Sequence, residues 1–258
     1  MKIQKFVKLK SNKYSIEFED GDKIKLYDDV IVKYNLLVNK EMDLETFDEI
    51  IEYNSRLDAY YKSLRYLTKK LRTEKEIYKY LEKDFEKDII FETIERLKSS
   101  GYLNNDIYLK CYFNDQINLG NSGPNKIKDE LINLGFKDED FKDILDNIDD
   151  SVWLSKLEKL IEKKVKTNHQ YGIYKLKEKI IYDMSNLGYY KWMIEEVISK
   201  MDLSCDDNLL EKEYRKCHMK LSKKFDGNEL EYQIRCKLLN KGFSYDEVNN
   251  FMDKKKNF

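Results

Sequence analysis

The segment ELINLGFKDEDFKDIL (130–145) reads as a helix, a break at Gly135-Phe136, and a second helix. Leu131 precedes the break, and Phe141 and Ile144 follow it at helical spacing. The same shape recurs three times, in YLEKDFEKDIIFETI (80–94), MSNLGYYKWMIEEVI (184–198) and LLNKGFSYDEVNNFM (238–252). Aligning Phe85, Phe136, Tyr189 and Phe243 gives spacings of 51, 53 and 54 residues. Glycine stands before three of these aromatics (Gly135, Gly188, Gly242), where a left-handed helix end favours it, and Asp84 is expected to substitute in the first. Five residues after each aromatic come Ile90, Phe141, Ile194 and Val248. A little further on come Ile94, Ile144, Ile198 and Phe251 with Met252, and before the break come Leu81, Leu131, Met184 and Leu238 with Leu239. These stripes predict a small core closed by a third, upstream helix at about 57–71, 106–119, 152–167 and 208–224. The expectation is a mainly α protein of about four tandem three-helix-bundle repeats in an elongated array, each unit contacting mainly its neighbours.

Outward from the repeats, the first 27 residues alternate with period 2. Phe6, Tyr14, Ile16, Phe18, Ile24 and Leu26 alternate with Val7, Ser15, Glu17, Lys23 and Lys25, with breaks at Ser11-Asn12-Lys13 and Asp20-Gly21-Asp22. This predicts a small N-terminal antiparallel β meander. Such a sheet needs a cover, for which Val30, Ile31, Tyr34, Leu37 and Val38, then Leu44, Phe47, Ile50 and Ile51, are the candidates. The expected domains are 1–55 (meander and helices), 56–103, 104–150, 151–203 and 204–258 (repeats one to four). Thr73-x-x-Glu76 and Ser244-x-x-Glu247 read as capping boxes, and Asn105-Asp106, Asp149-Asp150-Ser151 and Asp206-Asp207 as helix starts.

Composition removes most function classes. Among 258 residues there are 9 Gly and 1 Pro, too few turn residues for a Rossmann or barrel enzyme of this size. No P-loop, GxGxxG, GxSxG or HExxH occurs, and His169 and His218 lie far apart, so no enzyme and no cofactor is expected. Mean hydropathy is −0.75, and no run approaches the ~20 apolar residues of a membrane span. The N-terminus lacks the apolar core of a signal peptide, so a cytoplasmic location is expected. Cys111, Cys205, Cys217 and Cys236 form no CxxC pair and read as reduced thiols. A metal site from Cys205, Cys217, His218 and Cys236 fits no familiar zinc spacing, since Cys217 and His218 point about 100° apart on a helix.

Charge is more informative in its distribution than in its sum of −1. Residues 1–150 carry 26 basic and 32 acidic groups, residues 151–258 carry 22 and 17, and 104–150 alone carries 5 and 11. Candidate partner- or DNA-binding cations are Lys62, Arg65, Lys69, Lys70 and Arg72 in repeat one and Lys126 and Lys128 in repeat two. Repeat three offers Lys163, Lys164, Lys166, Lys175 and Lys177, and repeat four Arg215, Lys220, Lys223 and Lys224. Tyr60, Tyr61, Tyr66, Tyr171 and Tyr174 lie near them and read as core or as stacking surfaces. The near-neutral total fits a protein partner or a protein–nucleic-acid filament better than unaided nucleic-acid binding.

Leu71-Arg72-Thr73-Glu74-Lys75-Glu76-Ile77, then Phe85, Ile94-Glu95-Arg96-Leu97 and Gly101-Tyr102-Leu103-Asn104-Asn105, resembles the first repeat of the RecX regulatory proteins. Gly123-Pro124-x-x-Ile127-x-x-Glu130-Leu131 with Gly135-Phe136 resembles the second. The resemblance covers about residues 56–150. It implies a curved array that lies in the groove of the RecA–DNA filament and restrains its growth, ATPase and strand exchange, within DNA repair, homologous recombination and the SOS response. The chain departs from the family where a basic stretch around Gly-Pro is usual: Asn114-Asp115-Gln116-Ile117-Asn118 stands there. That shifts expected DNA contact to repeats one, three and four. The partners implied are a RecA filament and single- or double-stranded DNA, met by a monomer without a membrane. A stand-alone DNA-binding protein and a helical scaffold for an unrelated partner are the rival readings.

Overall fold

The computed structural model describes residues 1–201, 203 and 207–256. Strands β1 (Ile3–Lys8), β2 (Lys13–Phe18) and β3 (Lys23–Tyr27) form the expected antiparallel meander, in that order. Ser11 and Asn12 take φ of 67° and 54°, and Gly21 takes 92°, the left-handed turn conformations that match strand twist. One sheet face buries Ile16, Phe18 and Leu26, while Lys5, Val7, Lys23 and Lys25 face out. Helix α1 (Asp28–Lys33) is shorter than the apolar spacing predicts, because Asn35 takes φ 49° and turns the chain. Leu36 is therefore the buried residue, and Leu37 and Val38, expected in the core, are exposed.

Helix α2 (Leu44–Leu67) starts well before the expected upstream helix, at Asp43, whose carboxylate accepts the Thr46 N–H at 2.8 Å. Ile50 and Leu57 cover the sheet, leaving Leu44 and Ile51 exposed. Asn54 closes the β3 edge: its side chain accepts the Tyr27 N–H at 3.0 Å and donates to the Lys25 carbonyl at 3.2 Å. The C-terminal half of α2 packs with α3 (Glu74–Leu81) and α4 (Lys87–Ser99) around Ala59, Ile77, Leu81, Ile90 and Leu97. The expected boundary at residue 55 thus runs through one continuous helix.

Three further groups of three helices follow. They are α5 (Asn105–Asn118), α6 (Pro124–Asn133) and α7 (Asp138–Asp146); α8 (Asp150–Lys166), α9 (Ile173–Asn186) and α10 (Lys191–Lys200); α11 (Asp207–Leu221), α12 (Gly227–Asn240) and α13 (Tyr245–Lys256). The stripe residues Ile90, Phe141, Ile194 and Val248 are all buried, while in repeat three Val197 takes the inward place expected of Ile198. Both capping boxes form, and α5 is capped by Asn104, one residue before the expected start. Asp206 and Cys205 lie outside the described residues. The compact units are Met1–Tyr112 and Phe113–Phe258.

Repeat one differs at its break. Gly135, Gly188 and Gly242 have φ of 101°, 84° and 86°, and Phe136, Tyr189 and Phe243 donate their N–H to the carbonyl five residues back, as in a Schellman end. Asp84 does not take positive φ, contrary to expectation, and Phe85 bonds only four residues back, to Leu81. A residue with a Cβ resists the left-handed step, so this turn closes one residue shorter.

Within the second unit the middle helices meet end to end. Gly123 donates its N–H to the Leu187 carbonyl at 2.6 Å, and Asn125 to Gly188 at 3.0 Å. One repeat later Gly172 donates to Lys241 at 2.9 Å, and Tyr174 to Gly242 at 3.0 Å. The N-terminus of α6 is thus bonded to the C-terminus of α9, and that of α9 to the C-terminus of α12. A Cβ on Gly123 would lie 2.6 Å from the Gly188 carbonyl carbon, and one on Gly172 would overlap the Gly242–Phe243 peptide.

Candidate partner interface

The predicted cations divide by what they touch. Lys62 reaches Asp84 at 3.1 Å and Asp58 at 3.4 Å, with its ammonium over the Phe85 ring, so it ties α2 to the break of repeat one. Arg72 stacks on Tyr66, which lies flat on Tyr80 with ring centroids 4.2 Å apart, and donates to Glu76 at 2.9 Å. Burial pushes the Glu76 carboxyl up, but the Thr73 amide and Arg72 outweigh it and hold it below its ordinary value. Lys70 joins the same carboxylate at 3.5 Å. Lys128 pairs with Asp138, Lys164 with Asp183, Lys166 with Glu162, Lys175 with Glu178 and Arg215 with Glu211.

The remaining candidates have no ion pair among the described residues. Arg65 and Lys69 are exposed at the C-terminal end of α2. Lys163 is exposed on the last turn of α8, and Lys220, Lys223 and Lys224 are exposed at the end of α11 and just past it. Lys126 and Lys177 are half-buried in the first turns of α6 and α9. Of the candidates without an ion pair, the exposed ones lie at or just past the C-terminal ends of the first helices of repeats one, three and four, where the helix dipole favours positive charge. Repeat two has Asn118 there and no basic residue in the last turn of α5. Both joints bond equivalent backbone positions of successive repeats.

The aromatic candidates separate likewise. Tyr60 is buried under the Arg96 guanidinium at 3.8 Å. Tyr61 donates to Asp29 at 2.6 Å, and that bond, with burial, pushes its phenol up to about 12. Tyr171 lies under Lys179, and Tyr174 is 63% exposed beside the joint. Sequence reasoning missed Gly172 and its bond to the Lys241 carbonyl, although a glycine N-cap where Ser, Thr or Asp is usual was the available signal. Lys156, one of the basic residues the sequence offers in repeat three, donates to the Gln116 carbonyl and so links α8 to the end of α5, a contact the sequence did not signal. Burial lowers the pKa of that ammonium. No group of three His, Cys, Asp or Glu among the described residues could hold a metal ion, and no helix of the described residues is long and apolar enough to cross a membrane.

Known proteins share this architecture. A chain described as regulatory protein RecX from Streptococcus agalactiae serotype III (strain NEM316) is 30% identical, covering 96% of this chain and 97% of its own. The chain belongs to the RecX family. A second regulatory protein RecX, from Lactococcus lactis subsp. lactis (strain IL1403), is 32% identical over 90% of this chain and 89% of its own. The family pattern described as RecX, first three-helix domain, matches residues 59–97, which hold the end of α2 with α3 and most of α4. A crystal structure of regulatory protein RecX superposes with TM-score 0.63 at 21% identity, covering 77% of this chain and 99% of that one, and shows the common fold. RecX from Lactobacillus salivarius superposes with TM-score 0.53 at 27% identity, over 59% and 99%.

Proposed function

We propose that this RecX-family regulator acts on the RecA recombinase by binding in the groove of the RecA–DNA filament, limiting its growth, ATPase and strand exchange. It does so as a cytoplasmic, non-enzymatic monomer. The observation that carries the reading is that Lys69, Lys163, Lys220, Lys223 and Lys224, exposed and without an ion pair among the described residues, lie at or just past the C-terminal ends of α2, α8 and α11. Arg65, Lys69, Lys163, Lys220, Lys223 and Lys224 supply charge for DNA phosphates or acidic filament surface. Many weak contacts along a repeat array sum to firm binding once the first has formed. The repeats 56–103, 104–150, 151–203 and 204–258 are proposed as the units of that contact, the first of them beginning within α2.

The test is RecA ATP hydrolysis on single-stranded DNA with the protein added well below one copy per RecA. Suppression at that ratio is expected, since one array capping or spanning a filament affects many subunits. No effect, with a normal helical spectrum, rejects the reading. Binding to bare DNA that falls steeply with salt and needs no RecA would then favour the stand-alone DNA reading.

A further inference from the structure

The two joints carry one sequence pattern. Gly123-Pro-Asn-Lys126-Ile-Lys128 and Gly172-Ile-Tyr-Lys175-Leu-Lys177 both read Gly-x-x-Lys-(Ile/Leu)-Lys, from N-cap to fifth helical residue. Lysine in the third position of a helix opposes the dipole, and neither α6 nor α9 has an acid in its first turn. Both N-caps are glycine, so no side chain can accept the first-turn amides. Both anomalies have one cause. These N-termini meet carbonyls of the next repeat rather than water, and the backbone and Cβ of Lys126 and Lys175 stand beside the C-terminal ends of α9 and α12, with the Lys175 ammonium on Glu178. An ideal Cβ on Gly188 or Gly242 would strike the backbone and Cβ of Lys126 or Lys175, which shows how closely the two ends meet.

The last middle helix has the same frame with the charges reversed. Asp226-Gly-Asn-Glu229-Leu-Glu231 caps α12, with acids at both lysine positions, and around Gly227 the space is open. Repeat one also has acid at the third position, Glu76, which completes its own capping box.

We infer that the charge at the third and fifth positions of a middle helix encodes its place in the array. Gly-x-x-Lys-x-Lys marks an N-terminus that receives another repeat, and Asp-x-x-Glu-x-Glu marks one that receives none. Lys126 and Lys175 are then positioning residues of the joints, and Gly123 and Gly172 are glycine because nothing larger lets the two backbones meet.

The signs of two charge reversals test this in the full chain, read by thermal melting and by residue-resolved amide exchange. For a solvent-facing helix start, Lys175→Glu would raise Tm, by the dipole rule and by a new i,i+4 pair with Lys179 that replaces the one with Glu178. The joint predicts the opposite: a lower Tm, with exchange at Gly172 and Tyr174 faster by about fivefold or more while Gly123 and Asn125 keep their rates. Glu229→Lys, at the open end, is also expected to lower Tm without altering exchange at either joint. Gly172→Ala isolates the steric part, since Gly172 has φ −68°, which alanine adopts freely. It should speed exchange at Tyr174, whereas Gly101→Ala, strained at φ 74° but with open space around its Cβ, should lower Tm and leave both joints unchanged. A higher Tm for Lys175→Glu, or unchanged Tyr174 exchange in both Lys175→Glu and Gly172→Ala, overturns the inference. Should Gly172→Ala fail to fold, Lys175→Glu alone decides.

Discussion

Glu213 shows how far a single side chain can depart from its sequence neighbourhood. It sits in Glu211-Lys-Glu-Tyr-Arg-Lys216, which reads as a solvated helix face, yet it is fully buried. Lys216 donates to it at 2.6 Å, and Lys241, whose own carbonyl receives the Gly172 amide, is its second partner. Burial pushes the carboxyl up, but the two lysines outweigh that and leave it below its ordinary 4.5. A lowered folded value adds stability that is complete above pH 4.5 and is lost as pH falls through the lower folded value. Melting of the fourth repeat should therefore drop as pH is taken from about 5 to 3, and Glu213→Gln should flatten that dependence. The same change should cost about 1–3 kcal/mol at pH 7 by denaturant unfolding, because the half-exposed lysines can rehydrate. Nothing in the sequence distinguishes Glu213 from Glu211, since its partner Lys241 is on another helix. Lys62 and Arg72 were opaque for the same reason: Asp84 and Tyr66 neutralise or cover them only after folding.

Elements were far more legible, because each depends on local pattern. The meander, its turns, both capping boxes and the left-handed glycines follow from period, Asp-Gly and Gly-aromatic spacing. Where pattern misled, one backbone angle decided: Asn35 at φ 49° exposes Leu37 and Val38, and Asp84 declines the conformation its glycine counterparts take. The start of α2 went unread because its first half answers to the sheet rather than to the repeat period. Thr73→Ala should cost about 1 kcal/mol by losing the hydroxyl that accepts the Glu76 amide. Gly242→Ala should cost more, about 2 kcal/mol or above, since it adds left-handed strain to a clash with Lys175. Chemical denaturation of the two variants ranks them directly, and an equal loss would count against the close contact at that joint.

For the whole molecule, the net charge of −1 conceals an acidic first part and a basic second one. That asymmetry was readable; which cations remain free was not. Joint reversal of Lys163, Lys220, Lys223 and Lys224 to glutamate should weaken action on RecA–DNA filaments at least tenfold, with an unchanged helical spectrum. Reversal of Lys62, Lys70 and Arg72 should instead lower stability, as each would put an acid beside Asp84 or Glu76. Unaltered RecA inhibition by the first variant, with the protein folded, would remove these residues from the interface. The end-to-end bonding of α6, α9 and α12 has one more consequence, for heredity. A stretch copied in frame from Gly172 through Leu221 carries the donors of one joint, at Gly172 and Tyr174, and the acceptors of the other, at Leu187 and Gly188, and both halves are main-chain groups. Such a chain can gain or lose a unit in one genetic event, because the glycine and lysines of the joint travel with the copied stretch.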